Sequence, residues 1–435
     1  MEQRLYLGVS RRIITPKIGA LLYGYRPSPA STSVNDDLTA TAFYFKQGNA
    51  EAVLVSATVC AVNDVLTETL ANAIEKKHGV PKTAFMLHAV HTHSGPALSA
   101  NFGWGDVDTE YRDEIFIPRV LEAVDEAVKS AAPVKMGIAW GDSLIGINRR
   151  ELTPENDIKL GQNPWGPFNP KMTVLSFKDD EGNPVANLIH YGMHGTCAGK
   201  NTEISRDWSG VMVDVLEGET GAITAFINGP EGDIGPRLVN GKTTGCGDIT
   251  YAMRHGAVAG QDAVRVYNNM GIYHTPKLTV YGGTAKIPLQ PRLTPDEARA
   301  KIEEYKKESY KPQLREQMTH YYNTVIDSYN ENYEDKTHSE VKQTIIRLGD
   351  VAIVSFPYDL FSEIGLRIDR ASKIPHVLSL AHTSGAFGYF PTESALCRGG
   401  YEVTAFTSRN IQPPVPNADW HLITETLKNL EKTES

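Results

Sequence analysis

Two histidines placed two residues apart, His91 and His93, are the pair whose type and spacing most directly suggest chemistry. The apolar residues 83–90 before them predict a buried strand, and Gly95 with Pro96 prevents that strand from continuing. Residues i and i+2 of an extended chain point to the same side, so both rings would face one concavity. Neutral imidazole is a good zinc ligand. The pattern predicts a divalent-metal site; the alternative is a pair of hydrogen-bonded histidines in a tight turn.

A second histidine pair, His190 and His194, follows a predicted strand at residues 184–191. The spacing of four is that of helical zinc proteases, but Gly192 lies between the two and no glutamate follows the first, so that helical motif is absent. A strand that ends in a glycine-containing turn can present only one of them to the cavity of His91. We expect this to be His194, with His190 packed in the sheet.

The order of the predicted elements explains how such loops could meet. Residues 52–58, 62–78 and 83–90 read as strand, helix and strand, which predicts a βαβ unit with a ligand site beyond the carboxyl ends of its strands. A further loop of this kind follows a short apolar strand at residues 223–227. Its residues of interest are Asn228, Gly232, Asp233 and Gly235.

Asp359 follows a predicted hairpin and opens a predicted helix at residues 357–370. An aspartate in the first turn of a helix most often only complements the helix dipole, but here it could also supply an oxygen ligand. Residues 152–171 predict a long irregular loop that could form a rim or lid. We predict an α/β fold, a single large domain with a central mixed β-sheet flanked by helices, the site at the strand carboxyl ends, and a helical excursion at residues 290–335.

Composition narrows the class of protein. A chain of 435 residues with 41% hydrophobic content is globular and large enough for a sizeable core. A net charge of −9 without a basic stripe argues against nucleic acid or an anionic membrane as the main partner. No apolar run is long enough to span a bilayer, the N-terminus lacks a signal-peptide core, and the 4 cysteines form no CxxC. These features predict a cytoplasmic protein. They do not determine its oligomeric state.

Motifs in several parts of the chain carry a family resemblance: HTHSGP at 91–96, His-Gly-Thr at 194–196, Gly-Asp-Ile-Gly-Pro at 232–236, Pro-Tyr-Asp at 357–359, and tyrosines at 389 and 401. In this order they resemble the neutral/alkaline non-lysosomal ceramidase family. The resemblance implies a zinc-dependent amide hydrolase with a mixed α/β catalytic domain over residues 1–435. The zinc ligands that it implies are His91, His194, Asp359 and Tyr389. The residues that it places around the reaction are His93, Arg149 and Tyr401.

Those residue types suit hydrolysis. Two imidazoles and a carboxylate leave zinc an open position, where the pKa of bound water falls to about 7 and the water becomes a nucleophile. A phenol and a guanidinium near the developing oxyanion would stabilise the transition state. His93 would be the proton shuttle, which takes a proton from water and passes it to the leaving amine.

Three departures from the family pattern shape the expected substrate. Gly235 stands where the family has a serine proposed as nucleophile, so hydrolysis would rely on metal-activated water. Asp359 stands where the family has glutamate. The chain also shows neither the secretion signal nor the C-terminal immunoglobulin-like domain of the ceramidases. We therefore expect a small-molecule amide or ester more polar than ceramide, and no stable membrane association. The alternatives are a metal hydrolase of an ester, lactone or phosphoester, and a catalytically silent binding protein.

Overall fold

The computed structural model of the protein describes residues 4–100, 102, 104–307, 310–331 and 333–434. Its centre is an eight-stranded mixed β-sheet in which two neighbouring pairs are parallel and the others antiparallel. In spatial order its strands are Ile223–Asn228, Pro184–Tyr191, Lys171–Lys178, Ala132–Asp142, Leu5–Ile13, Thr39–Gln47, Ala50–Ala57 and Phe85–Ala89. The predicted α/β class with a central mixed sheet is confirmed.

A second, four-stranded sheet packs against the first. Its strands are, in order, Leu278–Pro288, His338–Leu348, Val351–Ser355 and His376–Leu380. One apolar cluster contains buried side chains of both sheets, among them Val55, Leu87, Ile353 and Leu380. The two sheets therefore share a hydrophobic core. Smaller sheets are formed by Gly146–Leu152, Ile158–Asn163 and Ile234–Pro236, by Ser33–Val34 with Glu203–Ile204, and by Asp359–Leu360 with Tyr389–Phe390.

Helices cover the sheets. The longer ones are Asp64–His78, Ile117–Lys129, Asp207–Thr220, Thr250–Asn268, Pro295–Tyr305, Pro312–Asp327, Ser362–Ala371 and Ala418–Glu431. Short helical segments are Thr109–Tyr111, Arg112–Phe116, Lys82–Ala84, Glu393–Leu396 and Tyr401–Thr407. Within the described part of the chain, no helix is both long and apolar enough to cross a bilayer. The cytoplasmic location stays a prediction.

The predicted βαβ unit is present. Ala50–Ala57 and Phe85–Ala89 pair in parallel, and the helix Asp64–His78 connects them. The Asn63 side chain accepts a hydrogen bond from the Leu66 amide at 2.7 Å and caps the start of this helix. The unit thus delivers its second strand, and the residues after it, to the carboxyl edge of the sheet.

Two details differ from the expectations. The residues 152–171 contain the strand Ile158–Asn163, which pairs with Gly146–Leu152, so only part of the expected loop is irregular. The helix expected from residue 357 begins only at Ser362. Asp359 lies before it in extended backbone, because its amide donates to the Gly388 carbonyl at 2.9 Å and its segment pairs in parallel with Tyr389. Tertiary pairing has outweighed local helix signals here.

Gly8 lies where the helix Ile117–Lys129 approaches the central sheet. A Cβ at this position would collide with the carbonyl group of Ala127. Gly8→Ala should therefore lower the free energy of unfolding by about 1–3 kcal/mol, the usual cost of overpacking. The measurement is urea unfolding followed by circular dichroism.

The matched control is Gly218→Ala, the same chemical change in the exposed last turn of the helix Asp207–Thr220, where a Cβ meets nothing within 4 Å. It should stabilise the protein by roughly 0.5 kcal/mol, because alanine restricts the unfolded chain and favours helix. Equal unfolding midpoints for the two variants would contradict this account of the helix-sheet contact.

Candidate metal centre

His91 presents one ring nitrogen to a cavity at the carboxyl end of Phe85–Ala89. Its Nδ1 donates to the Cys60 carbonyl at 2.8 Å, so Nε2 is the unprotonated nitrogen of the ring. The backbone is left-handed, with φ of 67°, and not extended as expected. The ring of His93 nevertheless lies beside it, with the two Nε2 atoms 3.1 Å apart. The two histidines meet, but through a strained turn and not through strand alternation.

His194 is held in the same way from the neighbouring loop. Its Nδ1 faces the carbonyl oxygens of Glu231 at 2.9 Å and Ile234 at 3.1 Å, which fixes the tautomer with Nε2 unprotonated. That Nε2 is buried and has no hydrogen-bond partner among the described residues. His190 instead lies in the sheet and hydrogen-bonds the Ser379 carbonyl through Nε2 at 3.0 Å, as expected for a packed residue.

Asp359 joins these histidines. Its Oδ1 lies 3.6 Å from Nε2 of His91 and 3.8 Å from Nε2 of His194. Ligands of a tetrahedral zinc ion with bonds near 2.1 Å lie about 3.4 Å apart. Both histidine nitrogens therefore lie from this carboxylate at about the separation of two ligands of one zinc ion. Tyr389, paired with Asp359 through the backbone, stacks its ring parallel to that of His194 at 6.4 Å.

Tyr389 and Arg149 form the wall beside this group. The Arg149 Nη2 donates to the Tyr389 hydroxyl at 2.9 Å, and its Nε donates to the fully buried Glu402 at 2.9 Å. Burial works against the charge of Arg149, but Tyr389 and Glu402 more than offset it and its pKa is raised. The Tyr401 ring meets Tyr389 edge-on at 5.5 Å, and burial raises the pKa of Tyr401 to about 12. The Arg149 guanidinium and the Tyr401 ring are thus held in place beside Tyr389.

The residues of the 228–236 loop support the site from behind. Asn228 is fully buried, and its side-chain amide donates to the carbonyls of Val90 at 3.0 Å and Met193 at 3.2 Å. Asp233 accepts from the Ser362 amide at 2.7 Å. A Cβ on Gly232 would collide with the Asp359 carbonyl, so glycine permits the close approach of the two loops. Gly235 likewise packs against Thr243.

Two residues that the sequence did not single out also lie at the site, Glu231 and His382. The His382 Nε2 lies 2.5 Å from Oε1 of Glu231 and 3.7 Å from Oδ1 of Asp359. The His382 ring stacks on that of His91 at 3.8 Å with an interplanar angle of 9°. Its position two residues past the strand His376–Leu380 was the available signal, because His91 also follows a strand end by two residues.

Burial keeps the imidazoles neutral. It lowers the pKa of His91 to about 4, with His382 as the next cause, and it lowers the pKa values of His93 and His194 well below the usual range. Burial also lowers the pKa of His382. Neutral rings with free Nε2 lone pairs are the form that binds metal ions.

A cavity of about 350 Å³ opens from these side chains. One end is formed by His91, His93 and Asp359. The other walls combine aromatic residues with polar residues. The aromatic ones include Tyr23, Phe102 and Trp104, and the polar ones include Gln317, His320, Thr324, Ser408 and Arg409. The helix Pro312–Asp327, within the predicted helical excursion, thus lines the cavity.

Glu402 lies between two arginines, because it also accepts from Arg150 Nη1 at 2.6 Å. Glu402→Gln should lower the free energy of unfolding by about 3–5 kcal/mol, since two buried guanidinium groups lose their counter-charge. Urea unfolding measures the change. The control is Glu304→Gln, the same substitution in an exposed pair with Lys301, which should leave the unfolding midpoint unchanged. A midpoint for Glu402→Gln equal to that of the control would contradict the assigned network.

Comparison with known proteins identifies the family of this chain. The sequence model described as neutral/alkaline non-lysosomal ceramidase, N-terminal, matches residues 6–263. The neutral ceramidase of Oryza sativa subsp. japonica is 22% identical over 218 residues, which cover 47% of this chain and 28% of that protein. Neutral ceramidase B of Dictyostelium discoideum is 26% identical over 239 residues, which cover 49% of this chain and 33% of that protein. The matched stretch thus spans about a third or less of these relatives.

The solved neutral ceramidase from Pseudomonas aeruginosa has the same fold, with a TM-score of 0.76 at 17% identity over 100% of this chain and 76% of that one. A second structure, a ceramidase complexed with C2, gives a TM-score of 0.73 at 16% identity over 100% of this chain and 77% of that one. Since the N-terminal model of the family matches more than half of the sequence, this chain belongs to the neutral/alkaline non-lysosomal ceramidase family.

Proposed function

We propose that the protein is a zinc-dependent hydrolase that cleaves an amide, or a related C–N or ester bond, of a small polar molecule by metal-activated water. The observation that carries this proposal is that His91 and His194 approach one carboxylate. Their Nε2 atoms lie 3.6 Å and 3.8 Å from Oδ1 of Asp359. The second nitrogen of each ring is fixed by a backbone carbonyl, the usual support of a histidine ligand. The buried, unpartnered Nε2 of His194 fits a metal ion.

When bound, zinc supplies a Lewis acid and brings the pKa of water to about 7. Tyr389 would complete its ligands. Arg149, fixed by Glu402 and Tyr389, and Tyr401 would donate hydrogen bonds to the oxygen that becomes negative in the transition state. His93 lies beside His91 and its buried Nδ1 has no hydrogen-bond partner among the described residues, so we assign to it the transfer of a proton from water to the leaving amine.

Gly235 supports water as the nucleophile. This position has no hydroxyl group to be acylated, and Thr243 fills the space in which a side chain would extend. Acyl transfer to this residue is therefore chemically impossible. The nucleophile of the proposed reaction comes from solvent.

The cavity supports a small polar substrate. Its volume of about 350 Å³ is near the lower end for ligand sites, and Gln317, His320 and Thr324 make part of its wall polar. Arg409 donates to the Ala386 carbonyl but has no carboxylate within 4 Å among the described residues. Burial lowers the pKa of its guanidinium, so a substrate group that accepts hydrogen bonds or carries negative charge would be stabilised there. We propose a small-molecule substrate of this kind, without stable membrane association.

The histidines can be tested individually. His194→Ala should lose bound zinc and reduce amidase or esterase turnover by at least about 100-fold, because a ligand of the ion is removed. Elemental analysis and a panel of chromogenic amides and esters, with and without chelator, measure both effects. The matched control is His190→Gln, a buried histidine four residues away that does not face the cavity, which should keep the zinc.

Full zinc content and turnover in a folded His194→Ala protein would contradict the ligand assignment. Zinc binding without any chelator-sensitive turnover in the unaltered protein would instead support the silent binding homologue. Circular dichroism confirms that each variant is folded.

Arg409→Met tests the nature of the substrate. It should raise KM by about 10-fold or more for amides or esters that carry a carboxylate, because a charge-assisted hydrogen bond is worth roughly 1.5–3 kcal/mol. KM for uncharged analogues should change little. Steady-state kinetics with matched charged and uncharged substrates give both values. Arg398→Met, an exposed arginine that does not line the cavity, is the control. Equal changes of KM for both substrate classes would refute the role of Arg409.

A further inference from the structure

Glu231 and His382 lie beside His91 and Asp359 but have no place in the four-ligand set that the sequence predicts. The ligand atoms of these four side chains all lie within 4.8 Å of one another. Glu231 is fully buried and His382 is 2% exposed. Both residues follow strand ends, at Asn228 and Leu380.

The donors outnumber the positions of one zinc ion. A catalytic zinc takes three protein ligands and keeps one position open. His91, His194 and Asp359 would fill such a set, and Tyr389 is the fourth predicted ligand. The Asp359 Oδ1 lies 3.6 Å and 3.8 Å from the first two rings and 3.7 Å from the His382 Nε2. The carboxylate is thus in reach of His194 and also belongs, with His91, to the close group that contains Glu231 and His382.

The carboxylates of the site have no lysine or arginine beside them in the described part of the chain. Among the described residues, neither Asp359 nor Glu231 has a lysine or arginine nitrogen within 4 Å, and the ionisable side chains nearest to them are histidines. The Glu231 Oε2 is buried and has no hydrogen-bond partner in the described structure. A buried carboxylate oxygen without a partner is destabilising, and a divalent ion would give it one.

The backbone fixes His382 in the cavity under strain. Its φ is 46°, in the left-handed region that non-glycine residues avoid. Hydrogen bonds on each side hold this conformation: the Ala381 amide donates to the Asn228 carbonyl at 3.1 Å, and the His382 amide to the Tyr358 carbonyl at 3.1 Å. The structure therefore maintains an imidazole at this position although the local backbone opposes it.

We propose that Glu231 and His382, with Asp359 as the shared carboxylate, hold a second divalent ion beside the ion at His91 and His194. The nitrogen and oxygen donors suit Zn²⁺ or Mn²⁺. Two ions bridged in this way typically lie about 3.5–4 Å apart. The Glu231 and His382 atoms, now hydrogen-bonded at 2.5 Å, would move apart as the ion replaces their shared proton. The inference rests on the proposed metal site but not on the proposed reaction.

The test is metal stoichiometry and magnetic coupling in the full-length chain. The unaltered protein, saturated with Mn²⁺ and freed of excess ion, should contain two ions by elemental analysis. Its electron paramagnetic resonance spectrum should show two exchange-coupled ions. Glu231→Gln and His382→Asn should each hold one ion and give the spectrum of isolated Mn²⁺. His190→Gln, a buried histidine outside the cavity, should keep two coupled ions.

One uncoupled ion in the unaltered protein would overturn the second site and leave the proposed function intact. Loss of all metal in His382→Asn, with one ion in the unaltered protein, would make His382 a ligand of that single ion and would overturn the proposal as well. No bound ion in the unaltered protein would overturn the proposed function too. The spectrum of the unaltered protein decides the matter even if a variant does not fold.

Discussion

The side-chain amide of Asn228 is the junction on which the site depends. It bonds the carbonyls of Val90 and Met193, and its oxygen accepts from the Met193 amide at 3.1 Å. The backbone amide of Asn228 donates to His88 at 2.8 Å, and its carbonyl accepts from Ala381. Because these groups are fully buried, each lost bond would leave an unsatisfied polar group. One residue thus ties together the loops of three cavity histidines, two from the central sheet and one from the second sheet.

Around this junction, the buried charges divide into two classes. Glu402 pairs with both Arg149 and Arg150 through direct hydrogen bonds, so each guanidinium has a fixed counter-ion. Asp359 and Glu231 lie among histidines, and neither has a lysine or arginine nitrogen within 4 Å among the described residues. The first class fixes geometry, and the second is the one that we propose binds metal ions.

Family membership and local departures answer different questions. The match over residues 6–263 and the shared fold account for the sheet and for the arrangement of its loops. The side chains that carry the proposed chemistry are few: Asp359, Gly235, Glu231, His382 and Arg409. In the proposed function they determine the metal donors, the nucleophile and the polarity of the substrate wall. Fold alone therefore leaves the chemistry open, and these side chains carry the argument about it.

The sequence by itself determined the α/β class, the βαβ unit, and the distinction between His194 and His190, because hydrophobic periodicity and glycine-containing turns are local properties. The association of His91, Asp359 and Tyr389 was expected from motifs, not from spacing. Only the tertiary structure decided that Asp359 lies in extended backbone before its helix, since pairing with Tyr389 is a non-local interaction. The tertiary structure also brings Glu231 and His382 to the site, beside His91 and Asp359. Their sequence separation of 151 residues carries no local signal, and the contact of two sheets brings them together.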